Sequence, residues 1–200
     1  MDTFIGRSQA GFGKFTTSVS VAAVVIGILG YLQLWGAGAF GLSSEISAIE
    51  PTLRFQNSWR YGATNGNVKE NARFEFDLDA DLRPLFNWNT KQVFAYVTVD
   101  YETVSPKTGS VVENSVVIWD RIITSPDSAD LHLKKTRSKY SAWDLQTKFG
   151  GTERKLQFNL RWNVQPHVGL LTNGKTVIKG GEHQLPPPKG KKRETPSESS

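Results

Sequence analysis

RFEFDLDADL, residues 73–82, alternates without a break. Phe74, Phe76, Leu78, Ala80 and Leu82 fall on one side of an extended chain. Glu75, Asp77, Asp79 and Asp81 fall on the other. Successive side chains of a strand point to opposite faces, so this spacing predicts a strand with an apolar inner face and an acidic outer face. Such an inner face needs a second layer to cover it. Four carboxylates so close together also raise a calcium site. Their spacing does not fit the ligand order of an EF-hand loop, and no glycine stands at the sharp turn. The row is therefore read as a solvated outer face.

Further strands follow on either side. Lys155 to Gln165 repeats the pattern, with Leu156, Phe158, Leu160, Trp162 and Val164 inward. Val93 to Thr103 is rich in β-branched and aromatic residues. The Ser105–Ser110 turn leads from it to an antiparallel partner over Ser115 to Ile123. Leu131 to Tyr140 begins with alternation, and Thr176 to Leu185 reads as a last, glycine-interrupted strand. Upstream, Ile46 to Tyr61 is an extended segment broken by Pro51, and Gly62 to Glu70 is a loop with Asn65-Gly66 as its turn. A short helical turn is expected around Leu82–Trp88. Pro186-Pro187-Pro188 ends the fold, and the polar residues after it are expected to be disordered. The predicted fold is all-β, an antiparallel two-layer β-sandwich behind a single N-terminal transmembrane helix.

That helix is FTTSVSVAAVVIGILGYLQLW, Phe15 to Trp35. It carries no charge, and its length of about 31 Å matches the ~30 Å hydrocarbon core of a bilayer. A buried soluble helix fits poorly, because no face is charged. A cleaved signal peptide is the stronger rival, with Lys14 as its basic end and Ala37-Gly38-Ala39 as a small-residue site cut after Ala39. Against it, the apolar run exceeds the usual ~7–15 residues of a signal sequence. Arg7 and Lys14 precede the span and Glu45 and Glu50 follow it, which places the N-terminus in the cytosol. The expected organisation is a cytosolic segment 1–14, a span 15–35, a folded domain 36–185 across the membrane and a basic tail 186–200. Ser20, Ala23, Gly27 and Gly30 share one helix face. Such a face lets a second membrane helix approach closely, although small residues are common in membrane helices anyway.

The 200 residues carry a net charge of +5 without a basic stripe interleaved with aromatics, so nucleic acid is not an expected partner. There is no cysteine, hence no disulfide framework and no thiolate metal site. No Asn-x-Ser/Thr acceptor occurs. The three histidines, His132, His167 and His183, form no His-x-x-x-His metal pair, and no serine sits in a Gly-x-Ser-x-Gly elbow. No catalytic residue, cofactor or metal is therefore expected, and a binding or scaffolding role is.

Leu85 to Phe94, LFNWNTKQVF, stands apart, with two large aromatics and two asparagines in a non-repeating run between strands. Taken alone it is a turn with a core tryptophan. It also closely resembles the lumenal signature of the signal peptidase complex subunit 3 family. Other stretches resemble that family in the same order. They are the acidic strand Asp77–Leu82, Val117-Ile118-Trp119-Asp120-Arg121-Ile122-Ile123, Lys139-Tyr140, and Trp162-Asn163-Val164-Gln165-Pro166-His167-Val168-Gly169. The resemblance spans Met1 to about Leu185. Animal relatives often carry a glycosylation acceptor before the Trp-Asn pair, which this chain lacks, and the basic tail is extra.

The resemblance implies an uncleaved single-pass protein of the endoplasmic-reticulum membrane with a lumenal sandwich. It implies no catalysis of its own. The Ser/His chemistry would belong to a separate catalytic subunit, and that subunit and the other small membrane subunits would be its partners, along with the bilayer. Phe86, Asn87, Trp88, Asn89, Lys91, Trp119, Asp120, Trp162, Asn163 and Pro166 are candidates for core packing or partner contact. Ser20, Ala23, Gly27 and Gly30 are candidates for packing on a neighbouring membrane helix. The alternative is a secreted sandwich module released after Ala39. Intact mass of the endogenous protein separates the two: the anchor reading expects the first 39 residues to remain, and a chain beginning at Phe40 would refute it.

Overall fold

The computed structural model describes residues 3–56, 69–104, 109–143 and 155–185. The Asn65-Gly66 turn, the centre of the Ser105–Ser110 turn, the end of the first extended segment and the tail lie outside the described residues.

Helix α1 (Phe4–Gly36) begins well before the expected span, and the Thr3 hydroxyl caps it by accepting from the Gly6 N–H at 3.4 Å. It is long and apolar enough to cross a membrane. Thr16, Thr17, Ser18 and Ser20 donate their hydroxyls to carbonyls one turn back, at 2.9–3.0 Å. Polar groups that would resist burial in lipid are thus satisfied within the helix.

Among the described residues ten strands follow: β1 (Ser43–Gln56), β2 (Lys69–Asp81), β3 (Thr90–Val104), β4 (Val111–Ile123), β5 (Asp130–Arg137), β6 (Ala142–Trp143), β7 (Lys155–Pro166), β8 (Thr172–Lys175), β9 (Val177–Lys179) and β10 (Glu182–Gln184). One sheet has the order β5-β2-β1-β9, with β6 also on β2. The other has the order β10-β7-β3-β4, with β8 also on β7. The pairs are antiparallel except β1 with β9. Between the sheets lie Phe74, Phe76 and Leu78 of β2 and Phe158, Leu160 and Trp162 of β7, all buried. Phe74 and Phe158 meet edge to face across the layers at 5.2 Å. The expected helical turn is a single 3-10 turn, Arg83–Leu85.

Pro51 does not break β1. Strand β9 pairs with Ser43–Glu45, so at Pro51 that side of β1 has no sheet neighbour among the described residues and the missing N–H is not needed. Bulges flank β2 on both sides. Ser47 to Glu50 of β1 shifts register with Ala48 at φ +50°, and Leu133 to Thr136 of β5 does so with Lys135 at φ +48°. The Asp77 carboxylate takes the freed Lys135 N–H at 2.7 Å.

The single strand expected over Thr176–Leu185 is instead two short strands in different sheets: after β8, which pairs in the second sheet, β9 joins the first and β10 returns to the second. Gly180, at φ +77°, makes the last crossing possible, since a β-carbon there would sit 2.6 Å from the Ile46 carbonyl oxygen. Gly174 in β8 is equally constrained. A β-carbon there would lie 2.2 Å from Cζ2 of the fully buried Trp162. Gly174→Ala is accordingly expected to destabilise the domain by about 1–3 kcal/mol, the usual range for overpacking a filled core. Chemical denaturation of the full chain in detergent measures it.

Candidate functional site at the helix–sandwich joint

The run from Leu85 to Phe94 becomes a joint. Asn87 donates its side-chain amide to the Gly30 carbonyl of α1 at 3.0 Å, while its own Oδ1 accepts the Asn89 N–H at 2.9 Å. Asn89 is buried and grips the turn after β7. Its Nδ2 donates to the Val168 carbonyl at 2.7 Å, its Oδ1 accepts the Val168 N–H at 3.1 Å, and its carbonyl accepts the His167 N–H at 2.7 Å. Thr90 holds the run in shape, accepting the Asn87 N–H at 3.2 Å and lying 3.0 Å from the Leu85 carbonyl. Two asparagines therefore tie three segments together, and the sequence offered no signal for which segments.

The helix reaches this joint through its small residues. A β-carbon on Gly30 would stand 2.8 Å from Asn89 Nδ2, and one on Gly27 would stand 3.3 Å from the Gly169 α-carbon. Gly27 and Gly30 thus lie close against the chain's own sandwich, a neighbour that neither reading of the small-residue face had named. Ala23 is half-buried and Ser20 exposed. One turn further on, Leu34 is buried within the sandwich core, as is Ala39. Phe40 follows, with Tyr31 at 5.9 Å on one side and Trp162 at 5.8 Å on the other.

The remaining candidates divide. Trp162 and Trp119 are buried, whereas Trp88 is 58% exposed. Phe86 packs against the core, and Pro166 pairs with Thr90 at the joint. Lys91 is the extra residue of a bulge between β3 and β7 and points to solvent. Asn163 donates to Asn173 Oδ1 at 2.6 Å across β7 and β8.

Trp119 and Asp120 meet Lys139 and Tyr140, which the sequence left as separate motifs. Ile118 is an extra residue in β4, and its carbonyl accepts the Tyr140 N–H at 3.0 Å. Lys139 then lies 3.2 Å from Asp120 and over the Trp119 ring at 6.0 Å. Ser138, just before, accepts the Phe74 N–H of the other sheet at 3.1 Å. This crossing closes one side of the sandwich.

The acidic face of β2 is met by cations. Arg83 binds Asp81 at 2.7 Å, Arg137 binds Glu75 at 3.2 Å, and His132 and Lys134 bind Asp79 at 2.8 and 3.0 Å. The hydrogen bond to Asp79 raises the His132 pKa above its ordinary value, and the His132 and Lys134 bonds lower that of Asp79. His167 lies in the turn at the joint and His183 in β10, so the three histidines are in separate places.

A family model described as "Signal peptidase subunit" matches residues 1–188. The chain belongs to this family. It is 43% identical over 162 residues to signal peptidase complex subunit 3 of Debaryomyces hansenii, covering 80% of this chain and 82% of that one. It is 42% identical over 178 residues to the protein of that name from Saccharomyces cerevisiae, with 88% and 93% covered. To the Yarrowia lipolytica protein it is 39% identical over 190 residues, with 93% and 98% covered. Both the helix and the sandwich of the signal peptidase subunit fold thus lie within the matched stretch.

Gly30→Leu tests the joint. The new side chain would displace the Asn89 amide, leaving buried donors and acceptors without partners at about 1–3 kcal/mol. The expected outcome is faster hydrogen exchange at His167 and Val168, with exchange in β2 and β3 unchanged.

Proposed function

We propose that this chain is the non-catalytic accessory subunit of a signal peptidase complex in the endoplasmic-reticulum membrane, and that it holds the complex's catalytic Ser/His subunit in working position. Family membership supports the complex. The observation that carries the mechanism is the joint, where helix and sandwich form one packed and hydrogen-bonded unit. A domain fixed in that way stands at one height above the bilayer and can present a partner's active centre there. On this reading residues 1–14 are cytosolic, 15–35 span the bilayer and the sandwich is lumenal, as the positive-inside rule favours.

The partner-facing surface is the β4 side of the second sheet. Among the described residues β4 is the end strand of its sheet. Val117 and Ile122 on it are exposed, and Phe94 stacks on Tyr96 at 5.3 Å on the adjoining strand. Apolar and aromatic surface of this kind is what the core of an interface needs. Trp119, Asp120 and Lys139 act from behind, by fixing the bulge that shapes this edge.

A secreted module cut after Ala39 receives less support. Ala39 has no exposed surface, and Phe40 is held between Tyr31 and Trp162. The bond after Ala39 is sheltered from a peptidase that needs an extended, open site.

Depletion of the protein is expected to let uncleaved secretory precursors accumulate, read by pulse labelling; normal processing would defeat the proposal. Ile122→Asp should lower co-purification of the membrane serine protease subunit about tenfold, equivalent to ~1.4 kcal/mol.

A further inference from the structure

The turn joining β7 to β8 carries the most exposed apolar pair on the sandwich: Leu170 is 90% exposed and Leu171 62%. This turn does not face open solvent beyond the helix end. It lies alongside α1, with Gly169 against Gly27, and the groove of about 930 Å³ between them is bounded by Leu170 and Leu171 on one wall and by Ala23 and Val24 on the other.

Height along the helix decides what surrounds the pair. Gly27 lies thirteen residues after Lys14, about 20 Å, and eight before Trp35, about 12 Å. The Lys14 charge belongs at or outside one boundary of the hydrocarbon. A ~30 Å core measured from there runs about 10 Å past Gly27 towards the sandwich. The turn therefore sits at a depth where lipid chains are the solvent. Charge agrees with that depth. No Asp, Glu, Lys or Arg occurs between Arg161 and Lys175, nor between Arg83 and Lys91, the two stretches that form this end of the domain.

Hydrocarbon tolerates irregular backbone only where its polar groups are satisfied by protein. The approach to the turn meets that condition. The His167 N–H and both backbone groups of Val168 are bonded to Asn89. The asparagine clamp thus satisfies the backbone groups of the approach, at His167 and Val168.

We infer that the β7–β8 turn is immersed in the membrane leaflet nearest the sandwich, with the Leu170 and Leu171 side chains among the acyl chains. This makes the domain a second point of membrane insertion beside its own helix. The inference rests on α1 spanning the bilayer.

The absence of native cysteine allows single labels at chosen depths. The full chain carrying Leu170→Cys, Leu29→Cys or Val111→Cys, each with a small fluorophore, is reconstituted in phosphatidylcholine vesicles. Brominated phosphatidylcholine and aqueous iodide serve as quenchers. The label at 170 is expected to lose emission to brominated lipid and to resist iodide, as the label at 29 does, while the label at 111 at the far end of the sheet behaves in the opposite way. Iodide access at 170 with lipid shielding at 29 overturns the immersion and leaves the span intact. Iodide access at both positions refutes the span and the immersion together. In the assembled complex the label at 170 should keep its quenching by lipid. Shielding there from both quenchers would mean that a protein neighbour covers the turn, and would overturn the assignment.

Discussion

Gly30 leaves its carbonyl uncovered on one face of the helix, and the Asn87 amide occupies that opening at 3.0 Å. The rest of the arrangement depends on how closely the two backbones approach here. A β-carbon at Gly30 would meet Asn89, and one at Gly27 would press on Gly169. Move the helix outward by the width of a methyl group and Asn87 loses Gly30. Leu34 and Ala39 would then withdraw from the core they share with both sheets, and Phe40 would leave its place against Trp162. An apolar helix and a sandwich that could have been joined by a loose tether are instead continuous.

The polar bonds of the joint are few, but their setting gives them weight. They lie beside an apolar groove and partly out of water, where a hydrogen bond is electrostatically stronger and an unmet partner costs more. The acidic row on β2 has more charge and less consequence. Its partners Arg83, His132, Lys134 and Arg137 are largely exposed, and exposed ion pairs contribute little after screening and side-chain ordering. Asp77 is the instructive member, because it satisfies a backbone N–H at a bulge. The placement of the domain relative to the helix comes from two neutral asparagines rather than from the charges that dominate the sequence by eye.

Where one face of a strand is buried, the period of two is visible in the sequence, and β2 and β7 were legible down to individual inward residues, Trp162 included. β4 was legible as a strand but not in its facing, because the extra residue Ile118 puts two successive side chains, Ile118 and Trp119, inside. β9 and β10 were too short to show any period and were read as one strand, and β8 before them was not read as a strand. Their real course depends on Gly174 and Gly180, whose need for bare backbone arises from neighbours far away in the chain. The joint was half legible. The small-residue face announced a close approach, and the Leu85–Phe94 run announced something irregular, but nothing local could pair one with the other. That pairing is a tertiary fact, set by the register that brings Pro166 opposite Thr90.

That register also sets the height of the proposed docking edge. β3 leaves the joint at Thr90, and Ile122 of β4 stands opposite Phe94, four residues along, or roughly 13 Å at ~3.3 Å per residue. The far end of the same strand, at Val104, lies about 46 Å away by the same measure. Ile122 therefore stands near the membrane, while further exposed apolar residues of the same strand, Val111 and Val112, lie at its far end. A catalytic domain resting on Ile122 and Val117 would work close to the bilayer surface, which is where a membrane-inserted precursor leaves the lipid. A flexible tether would let that height vary with every fluctuation of the linker. On the proposed reading the clamp at Gly30 removes that freedom, and a subunit with no chemistry of its own would set the height at which its partner's chemistry takes place.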